Sequence, residues 1–136
     1  MTYEEKRDLL DSYRSAWLMC QESYQRVKEF RERNAGVKAI LYTDMPKGSP
    51  VPKDLSDYAA QLDDLEAHVW LDAKLYERQA RRVKALILGV KDPDYRRILQ
   101  LRYLDWMSFG DIADVIGYSY RQTRRIHRKA VDSIDI

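Results

Sequence analysis

The chain has 136 residues, 45% of them hydrophobic and 34% charged, with a net charge of +2 and a pI near 8.6. That length suits one domain, or one small domain with an extension, and the composition supports packed, well-solvated helices and excludes a disordered polymer. A single cysteine, Cys20, excludes an intrachain disulfide, while the opening Met-Thr-Tyr-Glu-Glu-Lys-Arg-Asp lacks the pattern of a secretory signal and no apolar run is long enough to span a bilayer, so the expected setting is the reducing cytoplasm, away from membranes.

Residues 2–34 contain no proline or glycine, and Leu10, Tyr13, Trp17, Cys20, Tyr24 and Val27 recur with three-four spacing. This predicts one long amphipathic helix, closed near Ala35-Gly36 by a left-handed glycine. Gly36, Pro46, Gly48, Pro50 and Pro52 then make residues 36–54 a connector that cannot be regular helix. A second helix is predicted from Asp54 or Ser56 to Gly89, on Leu55, Tyr58, Leu62, Leu65, Val69, Tyr76, Val83 and Leu86, with Asp72 and Gln79 interrupting the seam. Two helices of similar length, each with one apolar face, can bury those faces together as an antiparallel hairpin, and pairing between chains fits the pattern equally well. Residues 1–90 are accordingly expected to form a helical hairpin that serves oligomerisation or partner binding.

Lys91-Asp92-Pro93-Asp94 breaks the chain, with Asp92 as a cap and Pro93 at the first helical position. The helix from Pro93 to Leu104 should present Ile98, Leu99, Leu101 and Leu104 to a core, leaving Arg96, Arg97 and Arg102 for solvent or phosphate. Ser108-Phe109-Gly110-Asp111 starts the next helix, whose expected buried side is Ile112, Ala113, Val115 and Ile116 and whose end is Gly117. Ser119-Tyr120-Arg121-Gln122 repeats the start signal in capping-box form. The two starts lie eleven residues apart, room for a short helix and a tight turn, which is the spacing of a helix-turn-helix; Ala113 is small enough for close approach of the second helix. Residues 91–136 are thus expected to form a DNA-binding domain, making the whole chain all-α.

The charge is local. Residues 1–90 carry 15 basic and 15 acidic side chains, whereas Ser119 to Val131 holds Arg121, Arg124, Arg125, Arg128 and Lys129 and no acid. In a last helix from Ser119 to Ile134, Thr123, Ile126, Ala130, Val131 and Ile134 make a narrow apolar stripe opposite a cationic face. The major groove of B-form DNA admits one helix, and the arginine fork matches the two acceptors on guanine. Tyr120, Arg121, Arg124 and Arg125 are placed for base contacts, Ser119, Arg128 and Lys129 for the sugar-phosphate backbone, and Arg102 and Ser108 for the opposite phosphate strand.

The run Leu101-Arg102-Tyr103-Leu104, Ser108 to Ala113, Ile116 to Ser119, Arg121-Gln122, Arg124 to His127 and Lys129 to Val131 resembles region four of bacterial sigma factors. It is more similar still to small phage regulators of the ArpU and RinA type, in which a proline-containing connector and a long charged helix precede the same motif, as residues 40–90 do here. The resemblance covers about the last two-thirds of the chain and is strongest at 95–131. It implies a phage or prophage protein in a bacterial host that controls transcription of late, packaging or morphogenesis genes, with DNA contacts at Arg102, Ser119, Tyr120, Arg121, Arg124, Arg125 and Lys129. Arg121 replaces an acidic residue common early in the sigma recognition helix, and Tyr120 a polar or basic one, so promoter specificity does not carry over. The segments with which a full sigma factor grips polymerase have no counterpart; contact with host RNA polymerase from an upstream site is still compatible with the resemblance.

Other chemistries find little support. His68 and His127 have no Cys or second His at metal-ligand spacing, and Asp63-Asp64 and Glu4-Glu5 are adjacent pairs that diverge around a helix. With no phosphate loop and no nucleophile-base arrangement, the chain is read as a non-enzyme without metal or cofactor. Trp17, Trp70 and Trp106 are expected as core or interface anchors, and Arg78, Arg81, Arg82 and Lys84 either extend the phosphate-binding surface or solubilise the second helix, the second reading being the preferred one. Double-stranded DNA is the expected partner, bound by a homo-oligomer, a dimer first. The alternatives are a DNA-packaging protein similar to a terminase small subunit and a helical protein-interaction module with a sigma-like segment.

Overall fold

The computed structural model describes residues 1–36 and 53–136, and these are helical with no strand among them. Helix α1 spans Tyr3–Arg33 and α2 Lys53–Leu88; α3, Pro93–Leu99, continues into a π-helical turn over Gln100–Leu104; α4 spans Phe109–Ile116 and α5 Tyr120–Asp132. Except for its ends, the connector expected at 36–54 lies outside the described residues. Among those residues no helix is long and apolar enough to cross a membrane.

The chain divides into two compact units, one of residues 17–75 and one of residues 1–16 with 76–136. In the first, Val27 and Phe30 of α1 and Leu55 and Tyr58 of α2 are buried, and the Phe30 and Tyr58 rings stack with centroids 5.2 Å apart. Asp72, which interrupts the apolar seam, accepts a hydrogen bond from the buried Ser23 hydroxyl, so the polar break is paired instead of stranded. Arg31 and Glu66 form an exposed ion pair at 2.6 Å. One expectation needs correction: Tyr24 is 65% exposed, because the buried side of α1 here runs through Ser23, Val27 and Phe30. Trp70 is 62% exposed, which leaves it outside the core, and the Lys74 ammonium lies 5.8 Å from its ring. The end of α1 also differs: Asn34 donates from Nδ2 to the Phe30 carbonyl at 2.8 Å, and Gly36 does not adopt a positive φ.

The second unit holds the larger core. Leu10 and Tyr13 of α1 meet Ala80, Val83 and Ile87 of α2, Val90 beyond it, Leu99 and Tyr103, and Ala130, Val131 and Ile134 from the end of the chain. These compact units do not follow the sequence boundary at residue 90, because the last turns of α2 bury their apolar side in the same core as α5. Each fully buried Leu or Ile contributes about 1.5–3 kcal/mol relative to exposure, so this shared core dominates the unit's cohesion. Polar groups at its edge are matched: Ser12 donates to Gln79 Oε1 at 3.3 Å, and the hydroxyls of the stacked Tyr13 and Tyr76 lie 3.2 Å apart. Burial and the Tyr76 hydroxyl push Tyr13 up to about 12.

The capping chemistry read from the sequence is present. Asp92 accepts from the backbone N–H of Asp94 and Tyr95, with Pro93 behind it. The α-helix then ends earlier than expected, at Leu99, and the π-helical turn replaces the stretch to Leu104. After it Trp106 takes a positive φ of 56°, a conformation that costs a non-glycine residue about 1–2 kcal/mol. Its indole packs against Tyr13, 5.8 Å between centroids, and beneath the Arg14 guanidinium at 5.9 Å, contacts that hold the kinked segment against α1. Helix α4 buries Ile112 and Ala113, with Ile116 half-buried; Val115 is 50% exposed, contrary to expectation, because it lies about 100° around the helix from the centre of that arc. Gly117 closes α4 at φ 78°, its N–H bonded to the Ala113 carbonyl.

Chemical denaturation should resolve two costs: about 2–5 kcal/mol for Leu99→Ala, which empties a fully buried site, and about 1 kcal/mol for Gly117→Ala, which forces a Cβ into the left-handed region although space is open around it. Equal costs for the two would contradict this account of the core.

Candidate nucleic-acid interface

Helix α5 is fixed at both ends. Ser119 keeps an extended backbone, and its Oγ accepts from the Gln122 N–H at 3.1 Å, while the buried Thr123 hydroxyl donates back to the Ser119 carbonyl at 2.8 Å. At the other end Lys6 of α1 donates from Nζ to the carbonyl oxygens of Asp132 and Ile134, at 3.0 and 2.8 Å. A cation at the negative end of the helix dipole satisfies acceptors that would otherwise need water.

Between these ends the helix has two sides. Thr123, His127, Ala130 and Val131 are buried, whereas Tyr120, Arg121, Arg124, Arg125, Arg128 and Lys129 are exposed. The stripe read from the sequence therefore changes at one position: His127 goes inside and Ile126 is only half-buried. The reason is a ring cluster. His127 Nε2 lies 2.7 Å from the Tyr103 hydroxyl, and its ring meets Phe109 edge-on with centroids 4.8 Å apart. Burial, and then the charges of Arg102, Arg124 and Arg7, hold His127 down at about 4, so it is neutral at pH 7. Burial foremost raises Tyr103, which keeps its proton and remains able to share it with the imidazole.

The same cluster positions guanidiniums. The Phe109 ring has two guanidiniums near it, Arg102 at 4.3 Å and Arg124 at 5.2 Å from its centroid. Arg124 also covers Tyr120 at 5.9 Å and donates to its hydroxyl at 3.4 Å. On the α1 side, Tyr3 has Arg7 at 5.8 Å and Arg128 at 5.0 Å from its ring centroid. Arg7, Arg121, Arg124, Arg125 and Arg128 border one open concavity of about 460 Å³, and none of its lining residues is a carboxylate. Guanidiniums around an open recess, three of them (Arg7, Arg124 and Arg128) set against aromatic rings, are suited to phosphate oxygens and base-edge acceptors, which take the arginine fork in two parallel hydrogen bonds.

Of the predicted contact residues, Tyr120, Arg121, Arg124, Arg125 and Arg128 come together here. Ser108 and Ser119 are exposed at the starts of α4 and α5, with the Ser108 Oγ accepting from the Asp111 N–H at 3.2 Å. Lys129 is exposed but lies outside the concavity. Arg102 is half-buried and donates to the Met107 carbonyl at 3.0 Å, so it braces the segment before α4 as well as facing Phe109. Sequence reasoning missed Tyr3, Arg7, Phe109 and His127. The Tyr3-Arg7 spacing of four does signal a helical ring-cation pair, but nothing local shows what that pair faces. Among the described residues, no group of three or more His, Cys, Asp or Glu side chains is arranged to hold a metal ion.

His127 also sets a pH dependence. Between its folded value of about 4 and the ordinary 6.5, the unfolded chain binds a proton that the folded chain excludes, so stability rises with pH through that window. Wild type should lose about 1 kcal/mol from pH 7.5 to 5.5, and His127→Gln should remove most of that slope in thermal or denaturant unfolding. An unchanged slope in the variant would contradict a neutral buried imidazole. Comparison with family models, curated proteins and solved structures found no match to this chain.

Proposed function

We propose that the chain is a sequence-specific double-stranded DNA-binding protein of the phage or prophage transcription-regulator kind, in which α4, the Gly117 turn and α5 form a helix-turn-helix and α5 enters the major groove. One observation carries this reading: Arg121, Arg124, Arg125 and Arg128 are all exposed on a capped helix whose opposite side is buried. An arginine already stacked, as Arg124 is on Phe109 and Tyr120, loses less side-chain freedom when it pairs with a base. The resemblance of residues 95–131 to sigma region four and to ArpU- and RinA-type regulators supports control of late or packaging genes, and host RNA polymerase as a partner rests on that resemblance alone.

In this reading the two long helices form a hairpin that brings two copies together. Leu18, Met19, Trp70 and Leu71, each 46–62% exposed in the unit of residues 17–75, support an assembly surface there. Light scattering is expected to give a dimer; a ring would favour a DNA-packaging protein instead.

Against the preferred duplex, Arg124→Ala or Arg125→Ala should cost about 1–3 kcal/mol while binding to random duplex falls less. Arg128→Ala should weaken both alike. The same loss on preferred and random DNA in every variant would rule out base reading by α5.

A further inference from the structure

The start of α1 is absorbed neither by the helix-turn-helix motif nor by the proposed assembly surface, yet it forms one wall of the cationic concavity. Tyr3 and Arg7 line it together with the exposed arginines of α5. Lys6, between them in sequence, is bonded to the carbonyls of Asp132, the last residue of α5, and of Ile134 just beyond it, and Leu10, one turn on, is 1% exposed in the shared core, so this wall is anchored to the helix it faces. The Tyr3 ring has Arg128 at 5.0 Å and Arg7 at 5.8 Å, which ties the first turns of α1 to the middle of α5 through two guanidiniums and one aromatic ring. Among the described residues the one carboxylate within ion-pair distance of Arg7 is that of Asp8, at 4.0 Å with both side chains exposed, a contact too weak and too solvated to neutralise it, and Asp11, one turn on, acts on Arg7 only at longer range.

We propose that Arg7, set by Tyr3, is a phosphate contact for duplex DNA, so that the chain grips one strand's backbone from α1 while α5 occupies the adjoining groove. This rests on the DNA-binding reading above. A phosphate contact carries no sequence information, so Arg7 adds affinity equally on every duplex, and each such contact contributes about −0.9 to the slope of log K against log salt. Tyr3 is the positioning residue: without its ring, Arg7 and Arg128 lose a common support.

The test is fluorescence anisotropy of the full chain with a selected and a random duplex across a salt series. Arg7→Ala is expected to weaken both duplexes by the same several-fold factor and to flatten the salt slope by about 0.9, while Arg7→Lys keeps the slope. Thermal unfolding of the variants serves as the control for folding, since Arg7 is exposed. If wild type binds duplex and Arg7→Ala matches it in affinity and slope, the inference fails and the α5 reading stands. If wild type binds no duplex at low salt, both fall. Loss on the selected duplex alone would make Arg7 a base contact and overturn the phosphate role.

Discussion

Helix α5 has one rotational setting about its own axis. Ala130 and Val131 fill a core that Leu10, Val83, Ile87, Leu99 and Tyr103 close from other elements, Thr123 is buried on the same side, His127 is buried against Tyr103 and Phe109, and rotation by one residue would press a guanidinium into that space. An unpaired buried charge costs several kcal/mol or more, far above what any exposed ion pair returns. The outward direction of Arg121, Arg124, Arg125 and Arg128 is therefore a consequence of packing on the opposite side. The Ser119 cap and the Lys6 bonds to Asp132 and Ile134 add an axial constraint.

That constraint extends to the other end of the chain. Residues 1–16 supply Leu10 and Tyr13 to the core, Lys6 to the end of α5, and Tyr3 and Arg7 to the concavity. The segment 91–136 alone would leave Ala130, Val131 and Ile134 without their neighbours from α1 and α2. Presentation of the arginines thus depends on the long helices, which gives those helices a structural task close to the site besides any part in assembly.

Local signals were legible wherever the physics is local. A serine or aspartate before a helix start has a nearby N–H to bond, and Asp92, Ser108 and Ser119 all do so; a glycine after a short apolar run closes it, as Gly117 does. The clustering of arginines without an acid likewise located the exposed face. What the sequence concealed was tertiary. His127 reads as one more polar residue among arginines, and only the hydroxyl of Tyr103 and the ring of Phe109 make its burial favourable. Glycine seemed the obvious end for α1, but Asn34 bonds the Phe30 carbonyl first. Tyr24 and Val115 keep an apolar spacing that neighbouring elements do not cover. Trp106, with its positive φ, packs against Tyr13 from 93 residues away in sequence, and neither it nor the π-helical turn before it has a local signature.

If packing fixes the arginine face and that face reads base edges, the protein must prefer some duplexes over others. Selection of bound sites from a library of random duplexes, at a stated and near-physiological salt concentration, measures this directly. The account predicts recovery of a defined site containing guanines in the major groove. Retention of the library without enrichment of any sequence, or failure to retain duplex at all, would contradict it.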